Sequence, residues 1–151
     1  MPSNIVASVK KSYQRKFQDL CDHFIKKTNG SLFLKKHTEL VDSLLIRLWR
    51  DSNGSEKNTL IAVGGYGRNE LFPYSDVDIL VLNGEKSIEN DENISQFITK
   101  CWDIGLKIGH SVRNLAEVKE EFNADISTAT NLLEARFIFG SSDLYLKFIS
   151  T

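Results

Sequence analysis

Two aspartates one residue apart are the side chains of this chain best suited to chemistry. Asp76 precedes an apolar run, Val77 to Leu82, and Asp78 lies within it. Because side chains alternate between the two faces of a strand, both carboxylates are expected to point to the same side. Like charges about 4 Å apart repel by roughly 4 kcal/mol at an effective dielectric near 20, so the pair should share a proton or hold a divalent cation. Mg²⁺ is usually bound through one or two carboxylates plus substrate phosphates, which predicts a metal-nucleotide site.

A glycine pair upstream would form the second part of this site. Leu60 to Val63 predicts a strand that stops at Gly64 and Gly65, where bare backbone amides would contact phosphate oxygens. The guanidinium of Arg68 suits either triphosphate oxygens or a surface acid. Ser75 would donate to phosphate or cap the approach to the second strand. The large residues nearby are expected to pack the loop rather than stack on a base: Tyr66, Phe72, Pro73 and Tyr74.

Three other glycine-loop sites do not match the sequence. The chain has no Gly-Lys-Ser/Thr of a P-loop, the segment Gly65 to Glu70 lacks the third glycine of a dinucleotide fingerprint, and the two aspartates lack the spacing of an EF-hand. An isolated Asp-x-Asp pair is weak support for chemistry because such pairs are common in turns. A strand, a glycine pair and Asp-hydrophobic-Asp in succession favour a nucleotidyl-transfer site.

The run GGYGRNELFPYSDVDIL resembles the nucleotidyltransferase motif of the bacterial PII uridylyltransferase/uridylyl-removing enzymes, which belong to the DNA polymerase β-like superfamily. Three other segments resemble these enzymes: VDSLLIRLW, WDIGLKIGHSVRNLAEV and TATNLLEARFIFG. The resemblance implies an α+β fold, a small mixed β-sheet packed by flanking helices. It implies Mg²⁺-dependent transfer of UMP from UTP to a tyrosine of the PII nitrogen-regulatory protein, with Asp76 and Asp78 as metal ligands. In this family a separate hydrolytic domain removes the UMP, and glutamine is the effector of the full-length enzyme.

The sequence departs from the family pattern at the third carboxylate. Polymerase β-like enzymes generally place this acid on a later strand facing the first two, but the predicted strand Leu106 to Val112 carries no acid on the face that includes His110. An imidazole is a poor Mg²⁺ ligand, so His110 either lines the site in another role or is a hydrogen-bonded core residue. Arg113, at the end of this strand, is a candidate phosphate contact. The remaining candidates for the third acid are Asp103, Glu117 and Asp125.

Composition argues against several other classes of protein. The 151 residues carry 19 basic and 20 acidic side chains, a formal net charge of −1, so we expect no nucleic-acid partner. No apolar run approaches the length of a membrane span and the polar start lacks the apolar stretch of a signal peptide, so we expect a cytoplasmic protein without a membrane partner. Cys21 and Cys101 lie at apolar-patterned helical positions and are expected to be reduced, buried thiols.

The predicted organisation has three parts. Residues 1–57 form a helical segment and linker, residues 58–123 the nucleotidyltransferase core, and residues 124–151 the start of a truncated helical subdomain. We predict helices from Asn4 to Lys27 and from Ser127 to Phe139, and a further helix from Asp143 that reaches the end of the chain without a cap.

The chain is therefore expected to be a fragment of a multifunctional enzyme, able to bind nucleotide but to transfer UMP poorly. None of its three histidines is followed by aspartate, so uridylyl removal is not expected from this part. Two alternatives stay open: a nucleotide-binding or regulatory module without turnover, and a nucleotidyltransferase with another acceptor.

Overall fold

A four-stranded mixed sheet carries the aspartate pair. The structure, a computed structural model, describes residues 4–150 apart from the side chains of Asn4, Thr128 and Asn131. The strands lie in the order β3-β2-β1-β4, with β2 parallel to β3 and β1 antiparallel to both β2 and β4. This arrangement confirms the predicted α+β class. The elements are α1 Asn4–Lys27, α2 Gly30–Asp51, β1 Thr59–Ala62, α3 Gly64–Gly67, β2 Val77–Leu82, α4 Ile88–Asp103, β3 Ile108–Arg113, α5 Leu115–Ala124, α6 Ile126–Leu133, β4 Arg136–Gly140 and α7 Ser142–Ile149.

Helices α1, α2 and α4 pack on one face of the sheet. The predicted bounds of α1 are confirmed, and α2 begins where the Asn29 side chain accepts a hydrogen bond from the Leu32 amide. The apolar positions of α2 recur every three or four residues, so they form one buried stripe. Leu45, Leu48 and Trp49 are at most 1% exposed, and each such side chain contributes about 1.5–3 kcal/mol by leaving water.

The opposite face of the sheet is covered by the C-terminal part of the chain. Ile61, Leu80 and Leu82 form a second, smaller cluster with Val118 of α5 and Phe148 of α7. Because side chains alternate along β2, Asp78 shares this face with Leu80 and Leu82. Asp78 is therefore placed at the edge of this smaller cluster, away from the α1–α2–α4 layer.

The predicted helix from Ser127 to Phe139 is wrong in its second half. Helix α6 ends at Leu133, and Arg136–Gly140 is the strand β4, which pairs with β1. A short segment rich in β-formers gains backbone partners by adding to the free side of β1, and this gain overrides continuation of the helix. The sheet therefore includes residues beyond 123, the predicted end of the core.

Two simpler expectations can be compared with the structure. Both cysteine thiols are free, and Cys101 is buried as predicted, but Cys21 is partly exposed. Of the helices formed by residues 4–150, none has the length and apolar character required to cross a membrane.

Candidate active site

The site begins at the first residues of β2, in the middle of the sheet. Asp76 directly precedes the strand, and Asp78 is its second residue. The neighbouring strand β3 places Gly109 opposite Asp78, and the Val63 amide at the end of β1 donates to the Asp78 carbonyl oxygen over 3.0 Å. The backbone of Asp78 is thus fixed by hydrogen bonding on both sides.

Two glycines make room for the Asp78 carboxylate. A Cβ added at Gly109 would lie 2.5 Å from Asp78 Oδ1, and one added at Gly64 would lie 3.3 Å from Oδ2. Gly64 also has a φ of +60°, a conformation that favours glycine over other residues. The carboxylate therefore occupies space that a side chain at residue 109 would fill and that one at residue 64 would narrow.

The electrostatics of the pair favour a bound cation. Burial, and then the charge of Asp76, raise the pKa of Asp78 above its ordinary value. Both effects disfavour the ionised form, and a divalent ion beside the two carboxylates would reverse them. The donor set also fits Mg²⁺, which takes a small number of carboxylate ligands and completes its shell with water and phosphate oxygens.

The glycine turn lies next to these carboxylates. Helix α3, Gly64–Gly67, begins two residues after the end of β1, so Gly64 presents backbone without a side chain beside Asp78 and Gly65 follows it. The guanidinium of Arg68 lies beside the turn, because a Cβ on Gly65 would be 3.5 Å from its Nη2. Arg68 is exposed and pairs with Glu70 at 3.1 Å and Glu134 at 2.5 Å. To bind phosphate, it would have to exchange at least one of these acids.

Ser75 is not brought together with the carboxylates. It lines a cavity of about 460 Å³, together with Val77, Tyr13 of α1 and Lys107. Because Val77 and Asp78 point to opposite faces of β2, this cavity lies across the sheet from the Asp78 carboxylate. The structure therefore gives no contact between Ser75 and the rest of the candidate site.

His110 also lies on the other face of the sheet. It pairs with Ile79 in the parallel register, is exposed, and has its ring centroid 6.1 Å from that of Trp102 on α4. Both expectations for His110 need correction, because it neither faces Asp78 nor lies in the core. The residues of β3 on the Asp78 face are Gly109, Ser111 and Arg113.

Arg113 shares the correct face but lies at the far end of β3. It is four positions from Gly109, roughly 13 Å along the strand, and its Nε donates to Glu121 at 2.6 Å. The structure therefore does not bring Arg113 to the aspartate pair.

No third carboxylate joins the aspartate pair among residues 4–150. In this part of the chain no group of three or more histidine, cysteine, aspartate or glutamate side chains is arranged to hold a metal ion. Glu117 takes part in the capping box of α5 with Asn114. Asp125 accepts from the Ser127 amide, and Asp103 is at the exposed end of α4. None of the three predicted candidates joins Asp76 and Asp78 in such a group.

Comparison with known proteins identifies the family. The family model described as "Nucleotidyltransferase domain" matches residues 42–124, which include the glycine turn and both aspartates. The chain belongs to the nucleotidyltransferase domain family.

Three relatives of this nucleotidyltransferase domain are each named "Bifunctional uridylyltransferase/uridylyl-removing enzyme". The protein from Hydrogenovibrio crunogenus is 46% identical over 129 residues, 82% of this chain and 14% of the relative. The protein from Burkholderia vietnamiensis is 43% identical over 148 residues, 97% of this chain and 17% of the relative. The protein from Haemophilus influenzae is 49% identical over 111 residues, 72% of this chain and 13% of the relative. The chain thus spans only a small part of the length of these relatives.

The nucleotidyltransferase domain has further site features that the sequence patterns did not reveal. Gly109 is one of these features, and the sequence alone could have indicated it, because a glycine inside a strand often marks the close approach of another group. A second feature joins three distant residues: Tyr66 Oη donates to Asp42, and Arg136 donates to both oxygens of the same carboxylate, over 2.7 and 3.1 Å. Asp42 and Arg136 are 94 residues apart, so no local pattern predicts their pairing.

Proposed function

We propose that this chain transfers UMP from Mg-UTP to a tyrosine hydroxyl of a PII-type signal protein, with release of pyrophosphate. The observation that carries the proposal is the Asp78 carboxylate, seated between Gly64 and Gly109 with Asp76 close enough to raise its pKa. The name of the relatives, uridylyltransferase/uridylyl-removing enzyme, supports uridylyl transfer as the reaction.

Each part of the site has a defined task in this proposal. Asp76 and Asp78 hold the divalent ion, and Gly64 and Gly65 allow the triphosphate to lie against the backbone. Arg68 neutralises a phosphate oxygen after releasing Glu70 or Glu134. When bound, the divalent ion supplies charge neutralisation at the phosphates and lowers the pKa of the attacking hydroxyl.

The bond changes are those of a nucleotidyl transfer. The tyrosine oxygen forms a bond to the α-phosphorus of UTP, and the bond from this phosphorus to the bridging oxygen of pyrophosphate breaks. The hydroxyl proton leaves to solvent or to a base outside the assigned residues. Because the two oxygens must lie roughly in line, the contribution of the chain is chiefly to position the triphosphate.

The rest of the proposed activity belongs to a longer protein. The chain covers 14% and 17% of two relatives that are named for both transfer and removal. We assign removal of UMP, and a response to glutamine, to parts of such a protein outside residues 1–151.

A nucleotide-binding or regulatory module without turnover is the second candidate. It is favoured by one observation, the lack of a third acid beside Asp76 and Asp78 within residues 4–150. Both candidates require the chain to bind Mg-UTP, and only the first requires transfer.

Labelled UTP distinguishes these candidates. The chain is incubated with UTP labelled at the α-phosphate, Mg²⁺ and purified PII protein, and label on PII is measured over time, with Asp78→Asn as the inactive reference. Label on PII in the wild-type reaction but not in the Asp78→Asn reaction supports the transferase. Mg-UTP binding by calorimetry without label on PII supports the module if a longer protein that contains this chain also leaves PII unlabelled. Label on a different added protein supports another acceptor. No binding of Mg-UTP contradicts both.

A further inference from the structure

The glycine turn is too short to hold its own position. Helix α3 has four residues, and its N-cap Val63 makes no side-chain capping hydrogen bond. A single turn of helix is unfavourable in isolation, because it fixes several dihedral angles in exchange for very few hydrogen bonds. Contacts with other parts of the chain must therefore set the distance between this turn and the aspartates.

Tyr66 is the side chain through which the turn is attached. It is 1% exposed, and its hydroxyl donates to Asp42 on α2. Arg136 of β4 donates to the Tyr66 carbonyl oxygen over 3.2 Å and lies 5.1 Å from the centroid of its ring. Tyr66 is thus held by its hydroxyl, its ring and its backbone.

Asp42 and Arg136 form the centre of this attachment. Two hydrogen bonds join them, and their side chains are 22% and 23% exposed. Removing a charged pair from water is costly, and a hydrophobic pair would often be at least as stable. What the pair adds is a defined geometry, because a planar guanidinium binding two carboxylate oxygens permits few orientations.

Gly67, at the C-terminal end of the turn, lies against the segment that precedes Arg136. A Cβ on Gly67 would lie 2.2 Å from the carbonyl oxygen of Glu134, two residues before Arg136. The Glu134 side chain also pairs with Arg68. Segment 134–136 therefore contacts the C-terminal half of the turn, through Arg136 at Tyr66 and through Glu134 at Gly67.

We propose that Asp42 and Arg136 are positioning residues, which hold Tyr66 and thereby fix the Gly64–Gly67 turn at the distance from Asp76 and Asp78 that a triphosphate requires. The proposal rests on the proposed function, since it assigns the turn to phosphate binding. Neither residue is expected to touch the nucleotide.

Helix α2 offers a matched control for this pair. Asp51 lies in the same helix and pairs with Lys100 at 2.7 Å, with side chains that are 24% and 19% exposed. This pair joins α2 to α4 and does not contact the turn. Asp42→Asn and Asp51→Asn thus remove similar ion pairs, of which only the first attaches the glycine turn.

The test compares these variants by thermal denaturation, by Mg-UTP affinity and by hydrogen exchange. We expect similar melting temperatures, but about tenfold weaker Mg-UTP binding for Asp42→Asn, because small displacements of a binding group cost affinity and rate. Exchange should become faster at the Gly67 and Arg68 amides, which bond to Val63 and Gly64, in Asp42→Asn and not in Asp51→Asn. Arg136→Lys keeps the charge but not the bidentate contact with Asp42, so it should weaken Mg-UTP binding and speed exchange to a smaller extent. This variant replaces Asp42→Asn in the test if Asp42→Asn does not fold.

Three outcomes overturn the proposal. The first is an Mg-UTP affinity that is the same in the wild type and in all folded variants. The second is hydrogen exchange at Gly67 and Arg68 that is the same in Asp42→Asn and Asp51→Asn. The third is a loss of Mg-UTP affinity that is equal in these two variants. If the wild-type chain itself does not bind Mg-UTP, the proposed function fails, and the exchange comparison alone decides whether the pair holds the turn.

Discussion

Asp42 and Asp78 are two partly buried carboxylates that the molecule treats in opposite ways. Asp42 receives hydrogen bonds from Arg136 and Tyr66, so its charge is balanced within the protein. Asp78 has the like charge of Asp76 nearby and two glycines at its oxygens, and within residues 4–150 it forms no ion pair. Charge balance therefore distinguishes a structural acid from one that is available to a ligand.

The Tyr66 hydroxyl is a stable hydrogen-bond donor to the Asp42 carboxylate. Burial, and then Asp42, raise the pKa of Tyr66 well above its ordinary value. Tyr66 is therefore a protonated donor at neutral pH, and Asp42 keeps its partner. Among residues 4–150 no side chain or amide donates to the Asp78 carboxylate, which leaves its oxygens for a cation.

The largest expected effect comes from removing one charge of the aspartate pair. Asp76→Asn or Asp78→Asn keeps the shape of the side chain but removes an anionic metal ligand. Mutation of a residue that only supports a metal ligand typically costs roughly 10- to 100-fold in metal affinity or activity. We expect a larger loss of UMP transfer when a metal ligand itself loses its charge, together with weaker Mg²⁺-dependent binding of UTP. Calorimetry and labelled transfer measure both, with the exposed Asp19→Asn of α1 as control. An unchanged Mg²⁺-dependent affinity for UTP in a folded variant would show that the substituted aspartate does not bind the metal ion.

A methyl group at residue 109 should have the next largest effect. In Gly109→Ala the new Cβ would meet Asp78 Oδ1 at 2.5 Å, so the carboxylate must move. Only the end of a side chain has to shift, so we expect little loss of stability but about a tenfold loss of transfer. Kinetics and thermal melting of this variant are compared with Gly30→Ala, where nothing lies within 4 Å of the added Cβ. Equal activity of the two variants would show that the position of the Asp78 carboxylate is not critical.

A smaller effect should appear in stability without divalent ions. The pKa of Asp78 is raised in the folded state, so its ionised form opposes folding at neutral pH, and this cost disappears as the pH falls through the raised pKa. Asp78→Asn should therefore raise the melting temperature at neutral pH by at most about a few degrees, and the gain should shrink in acid. Added Mg²⁺ should stabilise the wild type alone. A variant that melts lower than the wild type without metal would refute this interpretation.

The smallest expected effect is that of His110. Because it lies on the opposite face of the sheet and contacts Trp102, His110→Ala should leave Mg-UTP affinity within about twofold of the wild type, as is usual for exposed residues away from a site. Affinity is measured by calorimetry beside Asp78→Asn. A tenfold loss would mean that the β3 face bearing His110 reaches the nucleotide after all.

Local patterns in the sequence predicted much of this fold. The helical stripe of α2, the strand before the glycines and the alternation through Asp78 are short-range features, and the structure has all three. The failure at Arg136–Gly140 has a long-range cause, because the edge of β1 that recruits this strand is formed more than 70 residues earlier.

The site was predictable only where its residues are near in sequence. Gly64, Gly65, Asp76 and Asp78 lie within one short run, whereas the place of His110 depends on the register between β2 and β3. That register puts Gly109 beside Asp78. The roles of these residues, and the division of the chain at residues 57 and 123, stay predictions.

The most direct test of the metal site is a crystal structure of the chain with Mg²⁺ and a non-hydrolysable UTP analogue. We expect one ion bound directly by oxygens of both Asp76 and Asp78, at about 2.0–2.1 Å, and the triphosphate against Gly64 and Gly65. Nucleotide bound elsewhere, or an ion that neither carboxylate touches, would contradict it.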